Sequence, residues 1–229
     1  TGGTPLLMAS YDVYRPTERL RKWLNIYQDD QRALAAAKTM QRLRVLTIKE
    51  HAEHISQRLD LDDVANIIEQ YQQNLMTAES VPELRGHEGY FCAQLYKNIA
   101  GSIGIKDFLR HQAGTQPQND KASREVRNVN RFLDHGNYLA YGLASVALWS
   151  YGIPAGLAVI HGVTRAGGLV FDIADTFKDA FILPLACDGA RQGWSEREFR
   201  EKAINAFDRR SAMKLIFNHL DITIDENAA

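Results

Sequence analysis

Apolar residues recur every three or four positions through most of this chain, and this spacing constrains the fold more than any other feature. A period near 3.6 residues places such side chains on one face of a helix, whereas a strand requires strict alternation. Only 16 glycines and 6 prolines are present, which suits long helices better than many tight turns. We therefore predict an all-α fold, with at most one short hairpin. One of the clearest runs comprises Leu61, Val64, Ile67, Ile68, Tyr71 and Leu75.

The turn-forming residues divide the chain into three regions. Residues 1–15 contain glycine and proline and are predicted to be a linker or arm. Residues 16–220 carry the helical pattern and are predicted to form one domain. The segment 221–229 is predicted to be a polar tail, and 111–124 a surface loop within the domain.

Charge and cysteine content limit the class of protein. The formal net charge is -1, so the chain lacks the overall basic character of a typical nucleic-acid-binding domain, although its 27 Lys and Arg residues can still cluster locally. The two cysteines have no metal-ligand or redox spacing, which suits a reducing compartment. No apolar stretch is long enough to span a bilayer. We expect a cytoplasmic protein with no membrane partner.

Four chemically active side chains fall among apolar neighbours. Glu88 lies on the stripe of a helix that should be buried, and His161 follows a glycine- and proline-containing turn. Asp172 and Asp175 are three residues apart, so a helix places them on one side. Buried carboxylates repel each other and lose hydration, so a cation must compensate. Mg²⁺ prefers oxygen ligands and Mn²⁺ also accepts an imidazole, so the set favours a site for one of these ions.

Ion pairing is the alternative interpretation of the same residues. Glu88 would then form a buried salt bridge with an arginine, and the aspartates would pair with Lys178 and Arg165 or face solvent. His161 would be a structural histidine. The cluster of Arg42, Arg44 and Lys49 is either a solvated face or a stripe that contacts phosphate. Tyr141 is expected either to pack in the core or to point its hydroxyl at the site.

Four stretches of the chain resemble the CRISPR-associated integrase family, CRISPR-associated protein 1. GGTPLL followed by YRPTERL resembles the family's linker into its helical domain. LRGHEG at 84–89 resembles its glutamate motif, and NYLAYG at 137–142 its Asn/Tyr helix. PAGLAVIHG at 154–162, continuing to LVFDIADTFK at 169–178, resembles its histidine and double-aspartate motif. The last is the most specific, because the histidine, the spacing and the DIAD core agree together.

The resemblance implies roles for individual residues. Glu88, His161 and Asp175 would be the ligands of Mg²⁺ or Mn²⁺, and Asp172 would be an essential acidic neighbour. Tyr141 occupies the position of an active-site tyrosine. The candidate DNA contacts are Arg165, Arg127 and Arg131.

The resemblance also implies an activity and partners. Family members insert spacers into CRISPR arrays, where the 3′-hydroxyl of a foreign DNA fragment attacks a phosphate of the CRISPR repeat. They work with a small second CRISPR-associated protein, in some cases fused to a helicase-nuclease, and dimerise through a β-rich N-terminal domain. No segment here resembles that domain, so we expect the C-terminal catalytic domain. The compact motif spacing suggests a type I system, subtype I-F.

Two other functions compete with a metal-dependent DNA integrase or endonuclease. A catalytically silent helical DNA-binding or assembly module would use the acids only in salt bridges. A helical metallohydrolase for small molecules would have a closed pocket and no salt-sensitive affinity for DNA.

Overall fold

The computed structural model describes residues 17–51, 61–102, 104–105, 108–110, 124–162 and 165–228. These residues contain nine α-helices and no strand, which confirms the predicted all-α class. The helices are α1 (Glu18–Tyr27), α2 (Asp30–Glu50), α3 (Leu61–Thr77), α4 (Val81–Ser102), α5 (Arg124–Tyr151), α6 (Gly168–Asp175), α7 (Lys178–Gln192), α8 (Glu196–Arg209) and α9 (Ala212–Asn227).

The long helix α5 forms the centre of the molecule. It packs most extensively on α7 and also contacts α6, α8 and α9. The approach to α7 is close because Gly136 has no side chain: a Cβ there would lie 2.3 Å from Ile182 Cγ2. The apolar face predicted for this helix is the buried one, with Val126, Val129, Leu133, Ala140, Ala144 and Leu148 in the core.

The helix α2 links the remaining elements to this centre. It begins at Asp29, whose carboxylate accepts hydrogen bonds from the backbone N–H groups of Gln31 and Arg32 at 2.9 and 3.0 Å. It contacts α1, α9 and the pair formed by α3 and α4, and it also reaches α6 and α7. None of the described helices combines the length and the apolar character needed to cross a membrane.

The C-terminal boundary differs from the prediction. The last helix continues to Asn227, so the polar tail predicted for 221–229 is wrong for residues 221–227. The apolar stripe of α9 extends through Thr223 and Ile224, both completely buried, and this packing keeps the segment helical. Two of its acidic residues, Asp221 and Asp225, face α1, where Arg19 Nη2 lies 2.8 Å from Asp221 Oδ1, whereas Glu226 pairs with Arg42 on α2.

The spacing of Asp172, Asp175 and Asp179 by three and four residues predicts one helix that carries all three, and the structure differs from this prediction. The first helix ends at Asp175, and the next begins at Lys178. At the break between the two helices, the hydroxyl of Thr176 donates a hydrogen bond to the carbonyl oxygen of Ile173 at 2.8 Å. Asp179 therefore belongs to another helix and points to other partners.

Three further predictions concern chain segments between and before the helices. Helical spacing predicts one long run over about 30–58; the helix ends at Glu50 within the described part of the chain, while 52–60 lie outside it. The predicted arm at 1–15 also lies outside the described residues, as does the predicted loop at 111–124 apart from its last residue, Arg124.

Candidate active site

Asp172 is completely buried, and its carboxylate receives four hydrogen bonds from the segment 159–161. The backbone N–H groups of Val159 and Ile160 donate to Oδ2 at 2.9 and 3.0 Å. Oδ1 accepts from the N–H of His161 at 3.1 Å and lies 2.7 Å from its Nδ1. Because a carboxylate only accepts, Nδ1 carries the hydrogen in this pair. Asp172 thus holds both the backbone and the ring of His161.

Gly168 allows α6 to begin against the segment that carries His161. A Cβ at Gly168 would lie 2.8 Å from the Cβ of Ala158 and 2.9 Å from the carbonyl oxygen of His161. The preceding residue, Gly167, has a φ of 70°, which favours glycine. This glycine pair in the sequence is therefore the local reason why His161 and Asp172 meet.

The pKa of His161 is raised above its ordinary value. Burial alone would lower it, but the hydrogen bond to Asp172 and the negative charges of Asp175, Asp172 and Glu88 outweigh burial. The carboxylates of three separate positions therefore act on one imidazole.

Asp175 contacts Lys178 on the first turn of α7. The Lys178 ammonium lies on Asp175 Oδ1, and its side chain is only 12% exposed. Burial opposes the charged form, yet the charge of Asp175 raises the pKa of Lys178 above its ordinary value. The same ammonium lies 5.9 Å from the centre of the Tyr141 ring. Of the two ion pairs considered for the aspartates, the one to Lys178 is present.

Glu88 forms the buried salt bridge that the alternative interpretation anticipates. Its Oε1 accepts from Arg44 Nη1 at 2.8 Å and from the thiol of Cys92 at 3.2 Å. Burial would raise the pKa of Glu88, but the charge and hydrogen bond of Arg44, together with the charge of Lys178, lower it. Glu88 is thus electrostatically coupled to both cations of the site.

Arg44 is a residue of the site that sequence reasoning missed. The prediction of a solvated or phosphate-contacting position is wrong, since its side chain is 1% exposed. Its Nε donates to Asp179 Oδ2 at 2.8 Å. A signal existed in the spacing: Arg44 follows Gln41 by three residues and precedes Ile48 by four, which places it on the buried face of α2.

Cations already contact the carboxylates of two predicted ligands, Glu88 and Asp175. Among the described residues, no three His, Cys, Asp or Glu side chains form a group that could hold a metal ion. The donor set nevertheless suits Mg²⁺ or Mn²⁺ chemically, because it offers two carboxylates and an imidazole. Lys178 shows that a cation is stable against Asp175 at this place. The donor types therefore suit the ion, and its coordination stays a prediction.

Phe171 joins two further predicted residues to the centre. Its ring contacts that of Tyr141 edge-on, with centroids 4.7 Å apart, and lies 6.4 Å from the ring of His161. The guanidinium of Arg165 lies 4.3 Å from the same phenylalanine ring. Tyr141 and Arg165 are therefore neighbours of His161, although sequence reasoning did not identify the phenylalanine between them.

The other two arginines predicted to bind DNA lie away from this centre. Arg131 is ten residues before Tyr141 on α5, so a rise of about 1.5 Å per residue separates them by about 15 Å along the helix. Its guanidinium lies 3.6 Å from Glu196. Arg127 is exposed one turn further away, about 21 Å from Tyr141 by the same rise.

Comparison with known proteins identifies one family over nearly the whole chain. The family model described as CRISPR associated protein Cas1 matches residues 2–221. Two curated proteins named CRISPR-associated endonuclease Cas1, from Pectobacterium atrosepticum and Pseudomonas aeruginosa, are each 37% identical to this chain. Each alignment covers 96% of this chain and 70% of the relative.

Solved structures share the fold at lower sequence identity. A casposase bound to integration product has a TM-score of 0.68 at 14% identity, over 100% of this chain and 74% of that one. A Cas1 protein from Thermotoga maritima has a TM-score of 0.69 at 18% identity, over 95% and 72%. The TtCas1–DNA complex has a TM-score of 0.65 at 22% identity, over 93% and 67%.

Proposed function

This chain belongs to the Cas1 family, and we propose that it is a metal-dependent DNA integrase and endonuclease of CRISPR spacer acquisition. Its reaction would join the 3′-hydroxyl ends of foreign DNA fragments to the CRISPR repeat by transesterification. The observation that carries the proposal is the completely buried Asp172 carboxylate, which holds both the backbone and the ring of His161 and lies three residues before Asp175 on α6.

Three side chains of the site would bind the metal, and a fourth, Asp172, would orient the His161 ring. Glu88, Asp175 and His161 would hold Mg²⁺ or Mn²⁺, and His161 would ligate through Nε2 because Asp172 engages Nδ1. When bound, the ion would stabilise the negative charge that builds on the phosphate. Asp172 fixes the ring orientation, which keeps the imidazole in place before DNA arrives.

Positioning of DNA would fall to the residues around Phe171 and to the outer face of α5. Arg165 lies over Phe171 beside His161, where a guanidinium suits a phosphate next to the reacting one. Arg131 and Arg127, about 15 and 21 Å along α5, would meet phosphates about four to six nucleotides away at 3.4 Å each. The casposase and the TtCas1–DNA complex, which share this fold, support DNA as the substrate.

The family resemblance also supports partners that the fold itself does not contain. We propose prespacer and CRISPR-repeat DNA as substrates and a small second CRISPR-associated protein as an assembly partner. Homodimerisation would require the family's β-rich N-terminal domain.

A catalytically silent helical module remains the second candidate, because one specific observation favours it. Glu88 and Asp175 each contact a buried cation, Arg44 and Lys178. In a silent module these contacts would be the whole role of the two acids. The two functions differ in their response to a divalent metal.

The test is a strand-transfer assay on branched DNA with and without Mn²⁺. We expect His161→Ala and Asp175→Ala to abolish Mn²⁺-dependent joining and cleavage, with circular dichroism showing that the helices persist. The matched control is His135→Ala, which removes a histidine paired with Glu196 away from the site and should retain activity. Equal activity in the wild type and both site variants would contradict the proposal, as would wild-type joining that needs no divalent ion.

A further inference from the structure

A buried arginine on α2 lies behind the Glu88 carboxylate. The side chain of Arg44 is 1% exposed, whereas that of Arg42, two positions earlier on the same helix, is 54% exposed. A charge this deeply buried is stable only when partners compensate for lost hydration. Apart from Gln41 on α2 itself, the partners of Arg44 come from α4 and α7.

Asp179 anchors the guanidinium from the side of α7. Nε of Arg44 donates to Oδ2 at 2.8 Å, and Nη2 donates to the same oxygen. The other oxygen, Oδ1, accepts from the hydroxyl of Tyr96 at 2.6 Å, which holds the carboxylate itself. A planar guanidinium held through two of its nitrogens keeps one orientation. The position of its third nitrogen, Nη1, is therefore defined.

Two donors, from Arg44 and Cys92, form hydrogen bonds to the same oxygen of Glu88. Nη1 of Arg44 donates to Oε1 at 2.8 Å, and the thiol of Cys92 donates to the same atom at 3.2 Å. Cys92 is itself fixed, since its Sγ lies 2.9 Å from Arg44 Nη2. Among the residues that the structure describes, no hydrogen bond reaches Oε2 of Glu88. One carboxylate oxygen is held by protein, and the other remains for a ligand.

We propose that Arg44 and Cys92 form a cradle that positions Glu88 for the metal, so that Oε1 stays with the cradle and Oε2 is the oxygen that ligates. This inference rests on the proposed function, because it concerns the same site. Arg44 is a positioning residue: it acts through Glu88 and contacts neither metal nor DNA. Its anchor on Asp179 keeps the guanidinium in place, so that Oε1 stays bound to it while Oε2 would face the ion.

The test measures binding of Mn²⁺ alone to the full chain by isothermal titration calorimetry, without DNA. Arg44→Lys keeps the charge, but a compact ammonium cannot bridge two carboxylates as a guanidinium does. We expect the affinity for Mn²⁺ to fall about tenfold, as for other residues that orient a ligand. Arg42→Lys is the matched control on the same helix and should bind Mn²⁺ like the wild type.

A double-mutant cycle separates positioning from a general structural effect. In a Glu88→Gln background, Arg44→Lys should cause no further loss, because the residue through which it acts has gone. A loss of equal size in both backgrounds overturns the proposal. If circular dichroism shows that Arg44→Lys is unfolded, Cys92→Ala replaces it in the cycle, with a smaller loss expected in the same direction.

The outcomes distinguish this inference from the function on which it rests. A wild-type chain that does not bind Mn²⁺ overturns both. A wild type that binds Mn²⁺ while the cradle variants bind it equally well overturns only the cradle. A loss in the cradle variants that disappears with Glu88→Gln supports it.

Discussion

At the scale of single residues, Asp172 accepts more hydrogen bonds than any other acid of the site. It is completely buried, and it satisfies three backbone N–H groups of the segment 159–161 as well as the ring of His161. Removing a charged acceptor from buried donors leaves them unsatisfied. The effect of a substitution should therefore appear in folding stability and in the imidazole together.

We predict that Asp172→Asn lowers the pKa of His161, because the hydrogen bond from that ring to Asp172 helps to raise it. It should also reduce the free energy of unfolding by about 3 kcal/mol, since one acceptor oxygen becomes a donor that faces N–H groups. Titration of the His161 ring by NMR and urea unfolding measure the two effects. Asp208→Asn, at an exposed position on α8, is the control. An unchanged pKa in the Asp172 variant would show that this contact does not tune the imidazole.

At the scale of elements, the site depends on how closely α5 and α7 approach. Tyr141 lies on α5, whereas Lys178 and Asp179 begin α7. The two helices meet where Gly136 faces Ile182, with no room for a methyl group. Any increase in their separation would move Tyr141 away from the Lys178 ammonium.

We predict that Gly136→Ala destabilises the fold by about 1–2 kcal/mol in urea unfolding. The new methyl would lie 2.3 Å from Ile182 Cγ2, and the resulting overpacking outweighs the gain of about 1 kcal/mol from replacing a helical glycine. Gly86→Ala is the matched control, because that helical glycine has nothing within 4 Å and should be neutral or stabilising. Gly136→Ala should cost less in an Ile182→Ala background than in the wild type, because the methyl then no longer meets the Ile182 side chain. Equal stability of the two single variants would contradict this account.

At the scale of the whole molecule, the last helix, α9, packs against the break between α6 and α7. His219 on α9 is buried, and its Nδ1 lies 2.9 Å from Thr176 Oγ1. Burial lowers the pKa of His219 to about 4. The charged form of this residue is thus disfavoured in the folded chain.

The sign of the resulting pH dependence follows from proton uptake. In the unfolded chain a histidine takes up a proton near pH 6.5, whereas folded His219 does so only near pH 4. Its contribution to stability is therefore complete above about pH 6.5 and is lost as the pH falls, by about 1.4 kcal/mol per unit between these values. We predict a shallower pH dependence of unfolding for His219→Asn, which cannot titrate. Identical slopes for the variant and the wild type would refute the assignment.

Local patterns determined the helical class and the buried face of each long helix. The period of 3.6 residues is a property of neighbouring positions, so the face of α5 from Val126 to Leu148 was readable without the fold. The same pattern placed Glu88 and the aspartates among apolar residues. The motif spacing around His161 also carried the family assignment, which the comparisons confirm.

Only the tertiary structure decided which cation meets Glu88 and Asp179. Arg44 lies 44 positions before Glu88 and 135 before Asp179, and no local spacing relates such distant residues. Because α6 ends at Asp175, Asp179 lies on the next helix and contacts Arg44. This helix end lies beside a contact between Thr176 and His219, which are 43 positions apart. Helical periodicity is set by covalent neighbours, whereas charge pairing is set by distances that exist only after the helices pack.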